Sequence, residues 1–118
     1  MDVSFRSVTP LIPSGGPLGE SLDFYTECLG FRIVWRSETM AGIVRDGVAF
    51  NVVENDERGW ADQASFSIGV TGLEALYEEV RYTPARVGPL EMKPWGRREV
   101  HVIVPSGVCL QFFEVVED

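Results

Sequence analysis

The chain has little of what nucleic-acid-binding, disulfide-stabilised or membrane-spanning proteins require. Lys and Arg number 10 against 18 Asp and Glu, and the net charge of −8 disfavours nucleic acid, which needs a basic surface. Two cysteines, Cys28 and Cys109, are too few for a disulfide framework. No apolar run approaches the roughly 20 residues that cross a bilayer. The sequence therefore predicts a protein that binds neither nucleic acid nor a membrane.

An export signal is also lacking. The N-terminal segment MDVSFRSV has no basic start followed by a long apolar stretch, so we expect the protein in the cytoplasm. Hydrophobic residues make up 45% of the 118 residues, which is ordinary for a globular protein and argues against disorder. A single domain over 1–118 is long enough to bury one proper core.

Histidine is scarce, and no catalytic arrangement surrounds the one that is present. His101 alternates with Val100 and Val102 on a predicted strand, where a structural or surface role is its simplest interpretation. No nearby Ser or Cys with an acid completes a triad. The glycines near the N-terminus lack the lysine and the following Ser or Thr of a phosphate-binding loop. These motifs favour neither nucleophilic catalysis nor phosphoryl transfer.

What is present is a regular pattern of strands and helices. Alternating apolar residues predict strands, a 3.6-residue period predicts helices, and Gly, Pro and Asp-Gly mark their ends. The predicted segments are a strand over 3–8, a helix over 18–29 stopped by Gly30, strands over 31–37, 41–45 and 48–53, a polar linker over 54–63, a strand over 65–70, a helix over 73–80 begun by a Thr71–Glu74 capping box, and strands over 99–104 and 108–115. We interpret this order as strand, helix and three strands, repeated.

An internal repeat supports two modules. The segment IVRDGVAFNVVE (43–54) aligns with IVPSGVCLQFFE (103–114) at a constant offset of sixty, with identity at five of twelve positions. Two βαβββ modules, covering about 1–56 and about 64–118, each leave one sheet face uncovered. Such faces are buried by meeting each other. The sequence therefore predicts an α+β fold with a cleft or half-barrel.

The tripeptide Pro94-Trp95-Gly96 can continue neither a helix nor a regular ladder. Proline lacks the N–H donor, and glycine has no side chain to pack. The tripeptide places a flat aromatic ring at the mouth of the strand that begins near Arg98. The local pattern leaves two interpretations open: Trp95 covers the rim of the core, or it stacks on a planar ligand.

Three segments resemble the vicinal oxygen chelate superfamily, and within it the bleomycin resistance proteins. They are LDFYTECLGF (22–31), AGIVRDGVAF (41–50) and PWGRREVHVIVPSGVCLQFFE (94–114). The first indicates the fold only, whereas the other two are more specific to the antibiotic-binding branch. The resemblance implies two βαβββ modules, a homodimer, and exchange of the first strand between subunits. Pro10 matches the proline near the end of that strand, although its surroundings read equally as a plain loop.

The superfamily contains metalloenzymes as well as binding proteins, so the metal positions decide the class. The resemblance maps them to Thr9, Asn51, Ser65 and Gln111, of which only Gln111 is a plausible ligand type. A divalent site normally takes about three good nitrogen or oxygen ligands. We therefore expect no metal, no other cofactor and no enzymatic activity.

For the ligand, the resemblance implies grooves at the dimer interface in which Trp95 and Gly96 receive a planar group. The groove would be closed by Trp35, Met40 or Trp60, and Met40 stands where bleomycin binders commonly have an aromatic residue. Asp62 belongs to an acidic run that reads either as a solvated loop or as a rim that attracts cations.

The predicted function is sequestration of a cationic, bleomycin-like glycopeptide, which confers resistance. Two alternatives remain open at this stage. One is a metal-dependent lyase, isomerase or dioxygenase of the same superfamily, and the other is a binder of a different planar molecule.

Overall fold

Two sheets and three helices make up residues 2–116, the part of the chain that the computed structural model describes. In chain order they are β1 Leu11–Pro13, α1 Leu18–Leu29, β2 Arg32–Arg36, β3 Met40–Arg45, β4 Val48–Val53, α2 Arg58–Gln63, β5 Ser65–Val70, α3 Leu73–Val80, β6 Arg86–Val87, β7 Glu91–Met92, β8 Arg98–Ile103 and β9 Cys109–Glu114. The first sheet has the order β1-β4-β3-β2. The second has the order β5-β9-β8-β6, and β7 also pairs with β8.

Each sheet and its helix form one βαβββ unit. In both units the first strand runs parallel to the last, and the other neighbours are antiparallel. The predicted α+β fold with a repeated unit is therefore confirmed. In the second unit the short strands β6 and β7, which both pair with β8, were not predicted.

Helix α1 matches its prediction because its apolar period and its stop signal agree. Leu18, Leu22 and Leu29 are buried along one face. Gly30 ends the helix at φ +70°, a left-handed conformation that glycine adopts without steric cost. At the other end, the Leu18 N–H donates to Glu54 Oε2 at 3.0 Å, so a carboxylate following β4 satisfies the helix N-terminus.

Helix α3 is present where it was predicted, but the capping box is wrong. The helix begins at Leu73, and the residue that caps it is Gly72 in a left-handed conformation, with no side-chain hydrogen bond to the cap. Thr71 lies one residue too early for its hydroxyl to reach the free N–H groups of the first turn.

Two further segments differ from the prediction. Residues 2–10 form no strand, and Val3, Phe5 and Val8 are exposed, Phe5 to 96%. Their alternation suits strand pairing, but the described part of the chain supplies no strand opposite them. The polar linker also contains structure: α2 contacts β1, and its buried Ala61 lies beside Gly107 in the turn after β8, contacts that polarity alone does not reveal.

The core lies between each helix and one face of its sheet, and it is continuous between the two units. The ring of Phe50 lies 6.1 Å from that of Phe31 and 5.4 Å from that of Phe66 in the second unit. Helix α1 also contacts α3. Each sheet therefore has a covered face and an open face, and the candidate site lies on the open faces. No helix within residues 2–116 is long and apolar enough to span a membrane.

Candidate ligand-binding site

The open face of the first sheet is mainly apolar. Met40 lies opposite Val53 across the β3–β4 ladder, while Gly42 and Leu11 both lie opposite Asn51. Residues directly opposite one another in a sheet share a face. Leu11 and Trp35 are each almost half exposed, at 45% and 44%. This face offers hydrophobic contact and a single side-chain amide.

The open face of the second sheet is mainly polar. Cross-strand pairing aligns Ser67 with Gln111, Gln111 with His101, and Ser65 with Cys109. The Gln111 amide Nε2 donates to Ser65 Oγ at 3.0 Å. Hydroxyl, amide and imidazole groups thus follow one another across three strands, a surface suited to hydrogen-bonding a polar ligand.

Trp95 lies in the turn that joins β7 to β8, at one end of this polar face. The Gly96 N–H donates to the Lys93 carbonyl at 2.9 Å, and the Lys93 N–H donates to the Arg97 carbonyl at 2.9 Å. Gly96 adopts φ +89°, which few side chains tolerate. The turn predicted for Pro94-Trp95-Gly96 is confirmed. It leaves Trp95 62% exposed, with its ring beside β8.

A buried carboxylate holds the indole. The Trp95 Nε1–H donates to Glu99 Oε2 at 2.6 Å, and the Arg97 Nε–H donates to the same oxygen at 3.0 Å. His101 Nε2 lies 2.8 Å from Glu99 Oε1. Because an ionised carboxylate only accepts, Nε2 is the protonated ring nitrogen. The Glu99 side chain is 1% exposed, so these partners cover it almost completely.

The three donors keep Glu99 ionised. Burial raises the pKa of its carboxyl. Hydrogen bonds from His101, Trp95 and Arg97, together with the charge of Arg97, lower that pKa by more than burial raises it, and the result is a pKa of about 2. The Arg97 guanidinium also stacks on Phe113, 3.8 Å from the ring centroid. The cluster is therefore charged, fully hydrogen-bonded and packed.

The sequence analysis did not identify this cluster. One signal was available: Trp95, Arg97, Glu99 and His101 occur at every second position, which places side chains on one face of a strand. His101 received a structural interpretation, and its hydrogen bond to Glu99 agrees with that. Glu99 itself was not singled out.

Trp35 lies across the first sheet from Gly42, and its indole covers that glycine. A β-carbon built on Gly42 would lie 2.6 Å from Trp35 Cδ1 and 2.7 Å from Cε2, so only glycine allows the ring to lie there. Met40, two residues earlier, is partly buried on the same face. Two of the residues predicted to close the groove thus share the open face of the first sheet.

Trp60 and Asp62 lie in α2, away from the turn that carries Trp95. Trp60 is partly buried, and Asp62 is exposed, 3.9 Å from Arg58. Asp62 Oδ1 also lies close to Gly107, in the turn between β8 and β9. Among residues 2–116, no ring-to-ring contact joins any two tryptophans. One chain therefore does not bring the predicted stacking residues together.

The residues mapped to metal positions do not fit a divalent metal. Thr9 lies in the exposed segment before β1, and Asn51 belongs to the other sheet from Ser65 and Gln111. Ser65 and Gln111 satisfy each other by the hydrogen bond between them. The set contains amides and hydroxyls but neither imidazole nor carboxylate. Within residues 2–116, no three His, Cys, Asp or Glu side chains gather as a metal-binding group.

Two depressions of the described chain lie elsewhere. One of about 540 Å³ lies between the two units, with Phe31, Ile68 and Phe112 in its wall, and another of about 390 Å³ lies beside α1. Neither is lined by Trp95, Trp35 or Met40. In one chain the two open faces are surfaces rather than cavities, so a ligand on either is covered from one side only.

The amino-acid sequence of this repeated βαβββ fold matches a known protein superfamily. Residues 15–112 match the Glyoxalase/Bleomycin resistance protein/Dioxygenase superfamily, and the chain belongs to that superfamily. The resemblance inferred from the three sequence segments is confirmed.

Relatives within the superfamily include proteins named for bleomycin. A bleomycin resistance protein of Geobacillus stearothermophilus is 24% identical over 127 residues, spanning 92% of this chain and 96% of that protein. The crystal structure of a bleomycin-binding protein from bleomycin-producing Streptomyces verticillus, complexed with copper(II)-bleomycin, has a TM-score of 0.85 and 25% identity, covering 98% of this chain and 100% of that one. TnmS3, an antibiotic-binding protein from Streptomyces sp. CB03234, shares the fold at 15% identity, with a TM-score of 0.76 and coverage of 98% and 100%.

Proposed function

We propose that this protein binds and sequesters a bleomycin-like antibiotic without making or breaking a bond. The observation that carries the proposal is Trp95, whose indole edge is held by Glu99 while 62% of the residue stays exposed. A ring fixed at its edge and free on its surface is suited to stacking on a flat heteroaromatic group. Bleomycin-binding relatives with the same fold support the choice of ligand class.

The two open faces have complementary chemistry for such a ligand. The first sheet offers Trp35, Met40 and Leu11 for apolar contact. The second offers Ser67, Gln111 and other hydrogen-bonding groups. A glycopeptide carries planar rings, amides and hydroxyls together, so a groove walled by one face of each kind would satisfy all of them.

A homodimer would provide that groove. Three apolar side chains, Val3, Phe5 and Val8, are exposed on a segment that pairs with no strand among residues 2–116. Immediately after it, the Pro10 carbonyl accepts from the Asn51 N–H at 2.9 Å, which begins the attachment to the first sheet. This contact supports a role for Pro10 as a hinge. We propose that the segment before it crosses to the partner subunit, where its apolar residues are covered.

The charge of the protein favours a cationic ligand. The net charge is −8, and Asp62 is exposed on α2 close to Gly107 in the turn before β9. Long-range attraction by an acidic surface raises the encounter rate with a cationic tail. In the cytoplasm, where we place the protein, binding would hold the drug away from DNA.

A role as an enzyme is not proposed. The positions mapped to metal ligands hold Asn51, Ser65 and Gln111, and two of these already hydrogen-bond each other. This set supplies one plausible ligand, Gln111, where a divalent metal that activates oxygen or water normally takes about three.

Isothermal titration calorimetry tests the proposal. Metal-free and copper-loaded bleomycin are titrated separately into protein whose oligomeric state is known from sedimentation. We expect one ligand per chain at micromolar affinity or better, on the order of 8 kcal/mol of binding free energy. Absence of heat with both forms, on an intact dimer, would contradict the proposal.

A second experiment on the same protein tests the remaining alternative, that it binds a different planar molecule. If bleomycin gives no heat, a panel of planar cationic antibiotics is screened by tryptophan fluorescence. A response to one of them would keep the binding role and change the ligand. Loss of that response in Trp95→Phe would assign the site.

A further inference from the structure

Trp95 depends on one interaction for its orientation. It lies at the tip of the hairpin formed by β7 and β8, where backbone hydrogen bonds fix the turn but not the side chain. The residue is 62% exposed, so packing restrains the ring on few sides. The bond from Nε1 to Glu99 Oε2, at 2.6 Å, is the hydrogen bond that its side chain makes. Without that bond, rotation about the side-chain torsions would meet little resistance.

Glu99 is not placed to bind a ligand itself. Its side chain is 1% exposed, and both oxygens already accept from donors of the chain. A carboxylate so covered acts on its surroundings through the groups that it holds. Those groups are Trp95, Arg97 and His101.

The other two partners make Glu99 a rigid anchor. Arg97 binds Oε2 at 3.0 Å and stacks on Phe113, which lies opposite Glu99 on β9. His101 binds Oε1 at 2.8 Å and lies opposite Gln111. Contacts with residues on or next to β8 and β9 therefore fix the carboxylate independently of the indole. The position of Trp95 follows from the sheet rather than from the turn alone.

We propose that Glu99 is a positioning residue, which fixes the indole of Trp95 in the orientation that receives a planar ligand. The inference rests on the proposed antibiotic-binding function. A preorganised ring loses less conformational freedom on binding than a mobile one, so the ligand binds more tightly without any new contact. His101 and Arg97 take part by holding the carboxylate.

The first test needs no ligand, and an altered protein serves only to assign the signal. Hydrogen exchange of the indole N–H groups is followed by NMR, and the Trp95 signal is identified by its loss in Trp95→Phe. We expect the Trp95 N–H to exchange at least about tenfold more slowly than that of Trp35, because a charged acceptor protects it. The indole N–H of Trp35 has no hydrogen-bond acceptor within residues 2–116, so it serves as the internal reference. Equal exchange rates would overturn the proposal.

The second test removes the acceptor. Glu99→Met keeps the length of the side chain but accepts no hydrogen bond, whereas Glu99→Gln retains one oxygen for the indole. Glu114→Met is the matched control, because Glu114 is a carboxylate on the adjacent strand that pairs with Arg98 at 3.0 Å and is not among the partners of Trp95. We expect Glu99→Met to bind bleomycin about tenfold more weakly, Glu99→Gln to recover part of that loss, and Glu114→Met to change little.

The outcomes distinguish this inference from the function on which it rests. If Glu99→Met is a folded dimer that binds within twofold of the unaltered protein, Glu99 does not position Trp95 for the ligand. If Glu99→Met does not fold, slow exchange of the Trp95 N–H supports the proposal and fast exchange overturns it. If the unaltered protein binds no bleomycin, the proposed function fails, and the exchange measurement still decides whether Glu99 holds the ring.

Discussion

Replacing Trp95 by alanine separates ligand binding from folding more cleanly than any other change in the chain. The ring is 62% exposed, so its removal uncovers little of the core. Glu99 loses one donor but keeps Arg97 and His101, and water can take the vacated place. We expect the free energy of unfolding to fall by no more than about 1 kcal/mol.

The effect on affinity follows from the area that the ligand would cover. A tryptophan buries roughly 150–250 Å² when fully enclosed, of which a planar ligand stacked on one face of this ring would cover about 60 Å². At roughly 25 cal/mol per Å², that contributes about 1.5 kcal/mol. Stacking adds about 1 kcal/mol. The sum, about 2–3 kcal/mol, predicts an affinity about 30- to 150-fold weaker.

The assay is calorimetric titration of bleomycin into the unaltered protein, Trp95→Ala and Trp95→Phe. Trp95→Phe keeps a ring but not the N–H that Glu99 accepts, so we expect an intermediate affinity. Urea unfolding of each variant supplies the stability comparison. If Trp95→Ala binds within twofold of the unaltered protein, Trp95 is not the stacking residue. A large loss of stability would instead show that the ring covers the core.

Four further outcomes are expected. Gly42→Ala forces the Trp35 ring off the sheet, since the new β-carbon would lie 2.6 Å from Cδ1. We expect calorimetry to show severalfold weaker ligand binding. Because Trp35 is already 44% exposed, the free energy of unfolding in urea should change by less than about 1 kcal/mol. The pKa of Glu99 is lowered from 4.5 to about 2, so its contribution to stability is complete above about pH 4.5 and is lost as the pH falls toward 2. Only one layer of side chains separates this carboxylate from solvent, which screens its interactions, so we expect a contribution of about 1–2 kcal/mol to the free energy of unfolding. It is measured as the difference in the pH dependence of that free energy between the unaltered protein and Glu99→Gln. Parallel stability curves for the two proteins would contradict the expectation. Deleting residues 2–8 should convert a dimer to monomers in sedimentation, and a retained dimer would exclude strand exchange as its cause. Elemental analysis of protein purified without chelator should find Ni, Zn, Mn and Fe only below stoichiometry, and a full equivalent of any of them would contradict the metal-free assignment.

Local signals account for most of the elements. Helix α1 begins and ends as predicted because its apolar period and Gly30 agree. The hairpin between β3 and β4 turns at Asp46, whose φ of +50° suits the Asp-Gly pair. The capping box failed locally, because Gly72 rather than Thr71 caps α3, but elsewhere the deciding partner was distant in the chain. Helix α2 contacts β1 and buries Ala61 beside Gly107, and neither partner is visible in a polar segment.

The structure was hardest to predict for segments whose conformation depends on contact with another strand or another sheet face. The alternation over 3–8 indicates a strand, but a strand exists only beside another strand, and the single chain offers none to this segment. The same holds for the groove. Trp35 and Met40 share one open face while Trp95 lies by the other, and sequence pattern cannot say what brings two faces together.

The sequence alone was sufficient for the superfamily, the repeated unit and the turn that presents Trp95, because each is recognised from contiguous segments without knowing how those segments pack. The tertiary structure decided what holds Trp95. Alternation along β8 can place Glu99 and His101 on one face, but it cannot show that Arg97 folds over Phe113 or that the carboxylate is covered. Burial and charge state depend on neighbouring strands, and for that reason the role of Glu99 emerges only from the packed sheet.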